Sequence, residues 1–243
     1  MSVTSRITDR FRDTLPPLNV PRALRHTWRE VRRRKLTYTT PRQLTSLIRL
    51  CASMEANKEP GIIIEAGCAR GGSAILLCAT KSRHRPLFVY DVFGELPPPS
   101  AKDGEDLRGR YAVIASGKAE ESGGRRHYSY EPDLYEQVKN AFSELGHPVG
   151  ERTVSLIQGP VQDTLEVSDS VCLAHIDVDW YEPVMACLER IVPKMSRRGA
   201  VVVHAYLDWS GSRKAVDEYF ERVGRDEFVF DTSPGHLVVQ RRP

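Results

Sequence analysis

The 243-residue chain is short of cysteine, of aromatics and of long apolar runs. Its five cysteines (Cys51, Cys68, Cys78, Cys172, Cys187) are odd in number, widely spaced and form no CxxC pair. A disulfide framework and a structural zinc site are both disfavoured, and a cytoplasmic location is expected. No stretch approaches 18 consecutive apolar residues, so no membrane-spanning helix is expected. Met1 to Asp13 are polar and charged, with no apolar core of a secretory leader, so none is expected. Internal repeats are absent. With 40% hydrophobic and 28% charged residues, the chain has the composition of a folded globular protein rather than a disordered one.

The net charge of +3 is unevenly spread. Residues 1–40 hold ten Lys and Arg against three Asp and Glu, a net of +7, which leaves −4 for the remainder. The run Arg32-Arg33-Arg34-Lys35 could meet phosphate or anionic lipid; the plainer reading is a solvated helix face or a subunit-packing segment. No aromatic residues interleave with it, so no nucleic-acid platform is expected. Residues 1–37 read as a basic arm with a helix, and 38–243 as one domain.

Thr39-Thr40-Pro41 starts a helix that carries Leu44, Leu47, Ile48 and Cys51 at helical spacing. Ile62-Ile63-Ile64 reads as a buried parallel strand. Further strands are expected at 87–91, 154–158, 171–177 and 200–204, with helices between them. Phe228-Val229-Phe230 and Leu237-Val238-Val239 flank Thr232-Ser233-Pro234-Gly235 as an antiparallel hairpin. This alternation predicts an α/β, Rossmann-like, seven-stranded and mostly parallel sheet, with ligands at the carboxyl ends of its strands. Residues 94–130, rich in proline, glycine and charge, read as an irregular insert leaving that edge, and hence as a substrate lid. Tyr128 and Tyr130 either wall an acceptor pocket or anchor the insert.

Gly67-Cys68-Ala69-Arg70-Gly71-Gly72 links the first strand to its helix. Ala69 occupies the second glycine position of a GxGxxG fingerprint, and Glu65 precedes the loop. Both disfavour a pyrophosphate and suit a cationic ligand such as S-adenosylmethionine. Asp91 ends the second strand, 24 residues after Gly67, where a carboxylate can accept hydrogen bonds from ribose hydroxyls.

Glu65 to Ser73, Asp91-Val92-Phe93-Gly94-Glu95-Leu96-Pro97 and His175-Ile176-Asp177-Val178-Asp179-Trp180-Tyr181-Glu182 together resemble the macrocin-type O-methyltransferases, with Asp163-Thr164-Leu165 and the segment 211–217 extending the likeness. It spans roughly residues 38–240. The resemblance implies a class I methyltransferase fold and S-adenosylmethionine as cofactor. The acceptor it implies is a small molecule bearing a hydroxyl, on a sugar or polyol of a natural product. It implies cofactor contacts from Glu65, Gly67, Gly71, Ser73 and Asp91, with adenine near Gln162 and Asp163. It also implies Mg²⁺ or another divalent metal, held by Asp177 and an Asp-Asp pair at the end of the fifth strand.

The chain departs from that pattern at the last point, where Val201-Val202-Val203 runs into His204-Ala205. Three readings stay open. His204 acts as general base in a metal-independent transfer, with Asp177 as the other catalytic residue. Alternatively, Asp177, Asp179 and His204 hold a softer metal. Or the site is degenerate and binds S-adenosylmethionine without turnover. A plain hydrogen-bonded histidine, and Asp177 and Asp179 as caps of the following helix, are the structural counterparts. A nucleotide-sugar or NAD-dependent enzyme is the remaining rival. The basic N-terminal helices are also compatible with a homo-oligomer.

Overall fold

The computed structural model describes residues 15–17, 20–121, 125–150 and 153–242. The start of the basic arm and Gly123-Gly124 of the insert lie outside the described residues. In chain order the main elements are α1 (Arg25–Arg33), α2 (Pro41–Ala56), β1 (Ile62–Ala66), α3 (Gly72–Thr80), β2 (Leu87–Asp91), α4 (Glu105–Ala115), β3 (Glu120–Glu121), β4 (Arg125–Arg126) and α5 (Leu134–Glu144). They continue with β5 (Val154–Gln158), α6 (Val161–Thr164), β6 (Val171–Ile176), α7 (Tyr181–Ile191), β7 (Met195–Val203), α8 (Ser210–Val223), β8 (Phe228–Asp231) and β9 (Leu237–Arg241).

Seven strands form one sheet in the order β5-β2-β1-β6-β7-β9-β8. The first five are parallel, and β9 and β8 close the edge as the expected antiparallel hairpin. Starting from β1, the chain winds first outward through β2 to β5, then back across to β6 and β7. The strand order therefore reverses between β1 and β6, which is where such sheets open a crevice at their carboxyl ends.

β1 is buried along its whole length because both sheet faces are covered. Ile63 packs with Trp28, Leu44, Ile75 and Phe142 beneath α1, α2, α3 and α5. Ile62 and Ile64 pack on the opposite face with Tyr181, Val184 and Phe220 under α7 and α8. Thr40 begins α2 with a reciprocal capping box, its hydroxyl facing the Gln43 amide N–H while the Gln43 side chain accepts from the Thr40 N–H.

The insert is not irregular: Gly104 opens α4, the short β3–β4 hairpin follows, and a 3₁₀ turn covers Tyr128–Tyr130. Leu107 and Ile114 are buried and hold α4 to the body, a two-residue anchor too sparse to stand out in a glycine- and charge-rich segment. β7 also starts five residues early, at Met195, because a 3₁₀ turn at Val192–Lys194, with Pro193 inside it, ends the preceding helix. The basic run serves the fold. Arg33 and Arg34 pair with Glu30, Arg34 reaches Glu144 on α5, and Arg32 donates to the Thr39 carbonyl. Among the described residues no helix is long and apolar enough to cross a membrane.

Candidate active site

The crevice at the β1–β6 reversal holds a pocket lined by Gly67, Asp91, Leu96, Pro97, Tyr128, Gln162, Asp177, Asp179 and Trp180, among others. Its floor depends on one close approach. Gly67 has φ +85°, and a Cβ there would lie 2.7 Å from the Asp177 carbonyl carbon and 3.2 Å from Val178 Cγ1. The Asp177 N–H in turn donates to the Ala66 carbonyl at 2.7 Å. The tips of β1 and β6 are thus in backbone contact, which glycine alone permits.

The glycine loop is sewn shut by the protein itself. Asp91 Oδ2 accepts from the N–H groups of Cys68 (2.7 Å) and Ala69 (3.1 Å), while Oδ1 accepts from Phe93 N–H (2.8 Å). Gly67, Gly71 and Gly72 donate their N–H groups to the carbonyls of Tyr90, Cys68 and Leu36. Burial pushes the Asp91 carboxyl above the usual range, against the pull of these three donors. An ionised carboxylate oxygen has about two acceptor sites. Oδ2 thus holds two backbone donors and Oδ1 one, with the Cys68 thiol beside the same carboxylate.

Ala69 sits in the left-handed region at φ +48°. An L-residue pays about 1–2 kcal/mol there, while glycine pays about 0.5–1 kcal/mol in lost chain entropy. Ala69→Gly is expected to stabilise the protein by up to about 1 kcal/mol, read as a higher urea midpoint at unchanged slope; a lower midpoint would contradict the strain.

Glu65 does not reach the pocket. Strand alternation turns it to the face opposite Ile64 and Ala66, where it is fully buried. One of its oxygens accepts from the Ser73 hydroxyl on α3, and the other lies 3.0 Å from His175 Nδ1. Ser73 is likewise buried beneath the loop. Both residues sit as supports of the loop and of His175. Gln162 lines the pocket, while Asp163, one residue further along α6, points to solvent. Of the two tyrosines, Tyr128 lines the pocket. Tyr130 anchors the insert, donating to the Ile114 carbonyl and accepting from Ala119 N–H.

Asp177 and Asp179 follow the end of β6, and both line the pocket. Neither caps α7. That helix begins without a cap from its own N-cap residue, and the donor Tyr181 N–H is satisfied by Asp103 Oδ1 from the insert at 2.8 Å. α8 is served in the same way, with Asp106 accepting from Ser210 N–H at 2.9 Å and from its hydroxyl at 2.6 Å. At Gly211 a Cβ would lie 3.2 Å from Asp103 Cγ and 3.0 Å from Leu107 Cδ1, so the insert docks onto bare backbone. Trp180 Nε1 donates to the Pro97 carbonyl at 2.7 Å. The Ser210 hydroxyl holds the Asp106 carboxyl below the usual range. Its stabilising effect is therefore complete above about pH 4, the ordinary carboxylate value, and is lost as pH falls through its lowered folded value.

Burial, with the negative charges of Asp177 and Asp208, pushes Asp179 up to about 8. His204 begins the 3₁₀ turn after β7, half-buried, with its ring 5.6 Å from that of His175 and 6.2 Å from that of His236. Burial and the two other histidines push His236 down to about 3. One donor atom each from His175, Asp177 and His204 lie within 4.8 Å of one another; Asp179 is not part of this group. Ala205 is buried and offers no ligand. His175 was missing from the sequence-based set. Only the β1–β6 register, which pairs it with Glu65, reveals its place.

The sheet order, the crevice and the hairpin define a class I methyltransferase fold. The family model for macrocin-O-methyltransferase (TylF) matches residues 16–230, and the chain belongs to that family. It is 30% identical over 188 residues to demethyldecarbamoylnovobiocin O-methyltransferase of Streptomyces niveus, covering 71% of this chain and 63% of that enzyme, a little under two thirds of its length. It is 28% identical over 210 residues to an 8-demethyl-8-(2,3-dimethoxy-alpha-L-rhamnosyl)-tetracenomycin-C 4'-O-methyltransferase of Streptomyces olivaceus, covering 84% of this chain and 74% of that one. Among solved structures, the O-methyltransferase NovP superposes with a TM-score of 0.70 at 24% identity, covering 85% of this chain and 82% of that one. The SAH-bound Podospora anserina methyltransferase PaMTH1 superposes with a TM-score of 0.55 at 17% identity, covering 100% and 98%.

Proposed function

We propose that this protein transfers a methyl group from S-adenosylmethionine to a hydroxyl of a small natural product, on a sugar or polyol moiety. The observation that carries the reading is the commitment of the glycine loop. The N–H groups of Gly67, Cys68, Ala69, Gly71 and Gly72 are held by Asp91 and by carbonyls, and the pocket presents Asp91, Asp177 and Asp179 with no lysine or arginine among its lining residues. Phosphate-bearing dinucleotides and nucleotide sugars need free amides or cations. A sulfonium ligand suits an acidic wall. Both curated relatives are O-methyltransferases by name, and the name of the second places the methyl on the 4'-oxygen attached to a rhamnosyl-bearing substrate.

In this reading Asp91 Oδ1 takes a ribose hydroxyl and Gln162 lies on the adenine side, while Gly67 holds the loop against the tip of β6 and so shapes the crevice. When bound, S-adenosylmethionine supplies a methyl group activated on a sulfonium. The acceptor oxygen must lose its proton as it gains the methyl, and the Asp177–His204 pair at the tips of β6 and β7 is the proton acceptor. The donor set does not fit the Mg²⁺ that the family pattern implies. Two imidazoles and one carboxylate replace an all-oxygen set, and Ala205 removes a ligand. Alignment of acceptor and methyl supplies much of the remaining rate.

The insert acts as a lid, tied down by Asp103 and Asp106. Asp103→Ala is expected to cost about 1–2 kcal/mol of stability, as loss of a buried cap does, and to raise the acceptor KM more than it lowers kcat. An unchanged KM would remove the lid assignment.

Calorimetric titration with S-adenosylhomocysteine, NADH and a nucleotide sugar tests the whole reading. Binding of the first alone, followed by S-adenosylhomocysteine release with hydroxyl-bearing glycosides, supports it. Binding without release for any acceptor favours the non-catalytic reading. Preference for NADH or the nucleotide sugar overturns it.

A further inference from the structure

We propose that His175, Asp177 and His204 form a two-histidine, one-carboxylate site for a transition-metal ion of the Zn²⁺ type. The site differs in both ligands and metal preference from the oxygen-ligated Mg²⁺ site of the family pattern. Three features carry the proposal. One donor atom from each residue lies within 4.8 Å of the other two, a spacing one ion can bridge. Glu65 Oε2 lies 3.0 Å from His175 Nδ1, in a fully buried pair further tied down by Ser73. A carboxylate there places the proton on Nδ1 and leaves Nε2 as a lone-pair donor, the support that metal-binding histidines almost always have. His175 Nε2 is itself buried with no hydrogen-bond partner, as is His204 Nδ1. Buried polar atoms ordinarily find partners; His236 Nδ1 on the neighbouring ring also lacks one, and of the three rings those of His175 and His204 are grouped with the Asp177 carboxylate.

Asp177 and His204 are half-buried and Asp177 also lines the pocket, so the cluster borders the crevice on that side. Imidazole nitrogen favours Zn²⁺, Co²⁺ and Ni²⁺ over Mg²⁺, which prefers hard oxygen ligands. The proton-accepting role of His204 given above belongs to the metal-free protein; an ion bound here occupies the imidazole lone pair, so Zn²⁺ is expected to slow that transfer rather than support it. The proposal does not depend on methyl transfer, and its readout does not use turnover.

The test uses untagged full-length protein, stripped with EDTA and dialysed, then titrated with Zn²⁺ against a chromophoric chelator and with Co²⁺ by visible absorption. One Zn²⁺ per chain is expected, with a Co²⁺ ligand-field band that a thousandfold excess of Mg²⁺ leaves in place. His204→Ala, half-buried and so tolerant of truncation, should weaken Zn²⁺ binding at least about 100-fold. Glu65→Gln, which keeps all three ligands, should weaken it about 10-fold as a positioning effect. His147→Ala, remote from the cluster, should leave it unchanged. S-adenosylhomocysteine titration of the same samples reports the cofactor pocket separately. Zn²⁺ uptake equal in wild type and His204→Ala, or equal affinity for Mg²⁺ and Zn²⁺, overturns the site even where S-adenosylhomocysteine binding is intact.

Discussion

Gly67→Ala is expected to abolish S-adenosylhomocysteine binding and to destabilise the protein by about 2–5 kcal/mol. Two costs combine. Alanine at φ +85° pays about 1–2 kcal/mol of backbone strain. Its Cβ must also displace the Asp177 backbone, against which it would sit 2.7 Å from the carbonyl carbon. Forcing atoms into a packed junction typically adds about 1–3 kcal/mol. The β1 and β6 tips form the two sides of the crevice, so parting them moves Asp177 and the loop together. Urea unfolding and calorimetry check the two effects independently. Normal binding in the variant would show that the crevice does not depend on this contact. Asp91→Ala likewise disturbs more than a ligand contact. Removing that side chain strands the buried amides of Cys68, Ala69 and Phe93 as well, at a cost of about 1–3 kcal/mol for each one left unsatisfied.

His204→Ala is expected to lower turnover by about 10²–10⁴-fold, the range supplied by a positioned proton acceptor, while S-adenosylhomocysteine binding stays within about threefold of wild type. The imidazole stands at the tip of β7, beside Asp177, while the cofactor contacts proposed above belong to the loop after β1, Asp91 at the end of β2, and α6. Single-turnover S-adenosylhomocysteine release at saturating cofactor reads the effect. Undiminished release would remove His204 from the chemistry. Loss of cofactor binding together with turnover would place the residue in the wrong half of the site. Zn²⁺ dependence of the wild-type rate then distinguishes a free base from a ligated imidazole.

Much of this molecule was legible locally. Ile62-Ile63-Ile64, the glycine loop, Asp91 and the closing hairpin each declare themselves within a few residues, through β-branched runs, glycine and turn chemistry. The departure at His204-Ala205 was equally plain in the chain. The order and character of the elements, and the pocket's place at the strand ends, follow from such signals because they are set by short-range sterics and by period-two or period-3.6 burial. Tertiary structure alone decided the partnerships. His175 reads as an ordinary strand residue until parallel pairing sets it beside Glu65, 110 positions away in sequence. Asp103 and Asp106 read as loop polarity until folding carries them to the bare N-termini of α7 and α8. Gly67 read as room for a ligand, but the atoms that demand it belong to Asp177. Register between non-adjacent strands and the docking of an insert are fixed by the sum of many packing contacts across the core. No single residue encodes them, so the sequence named the parts of the site and the fold chose which of them touch.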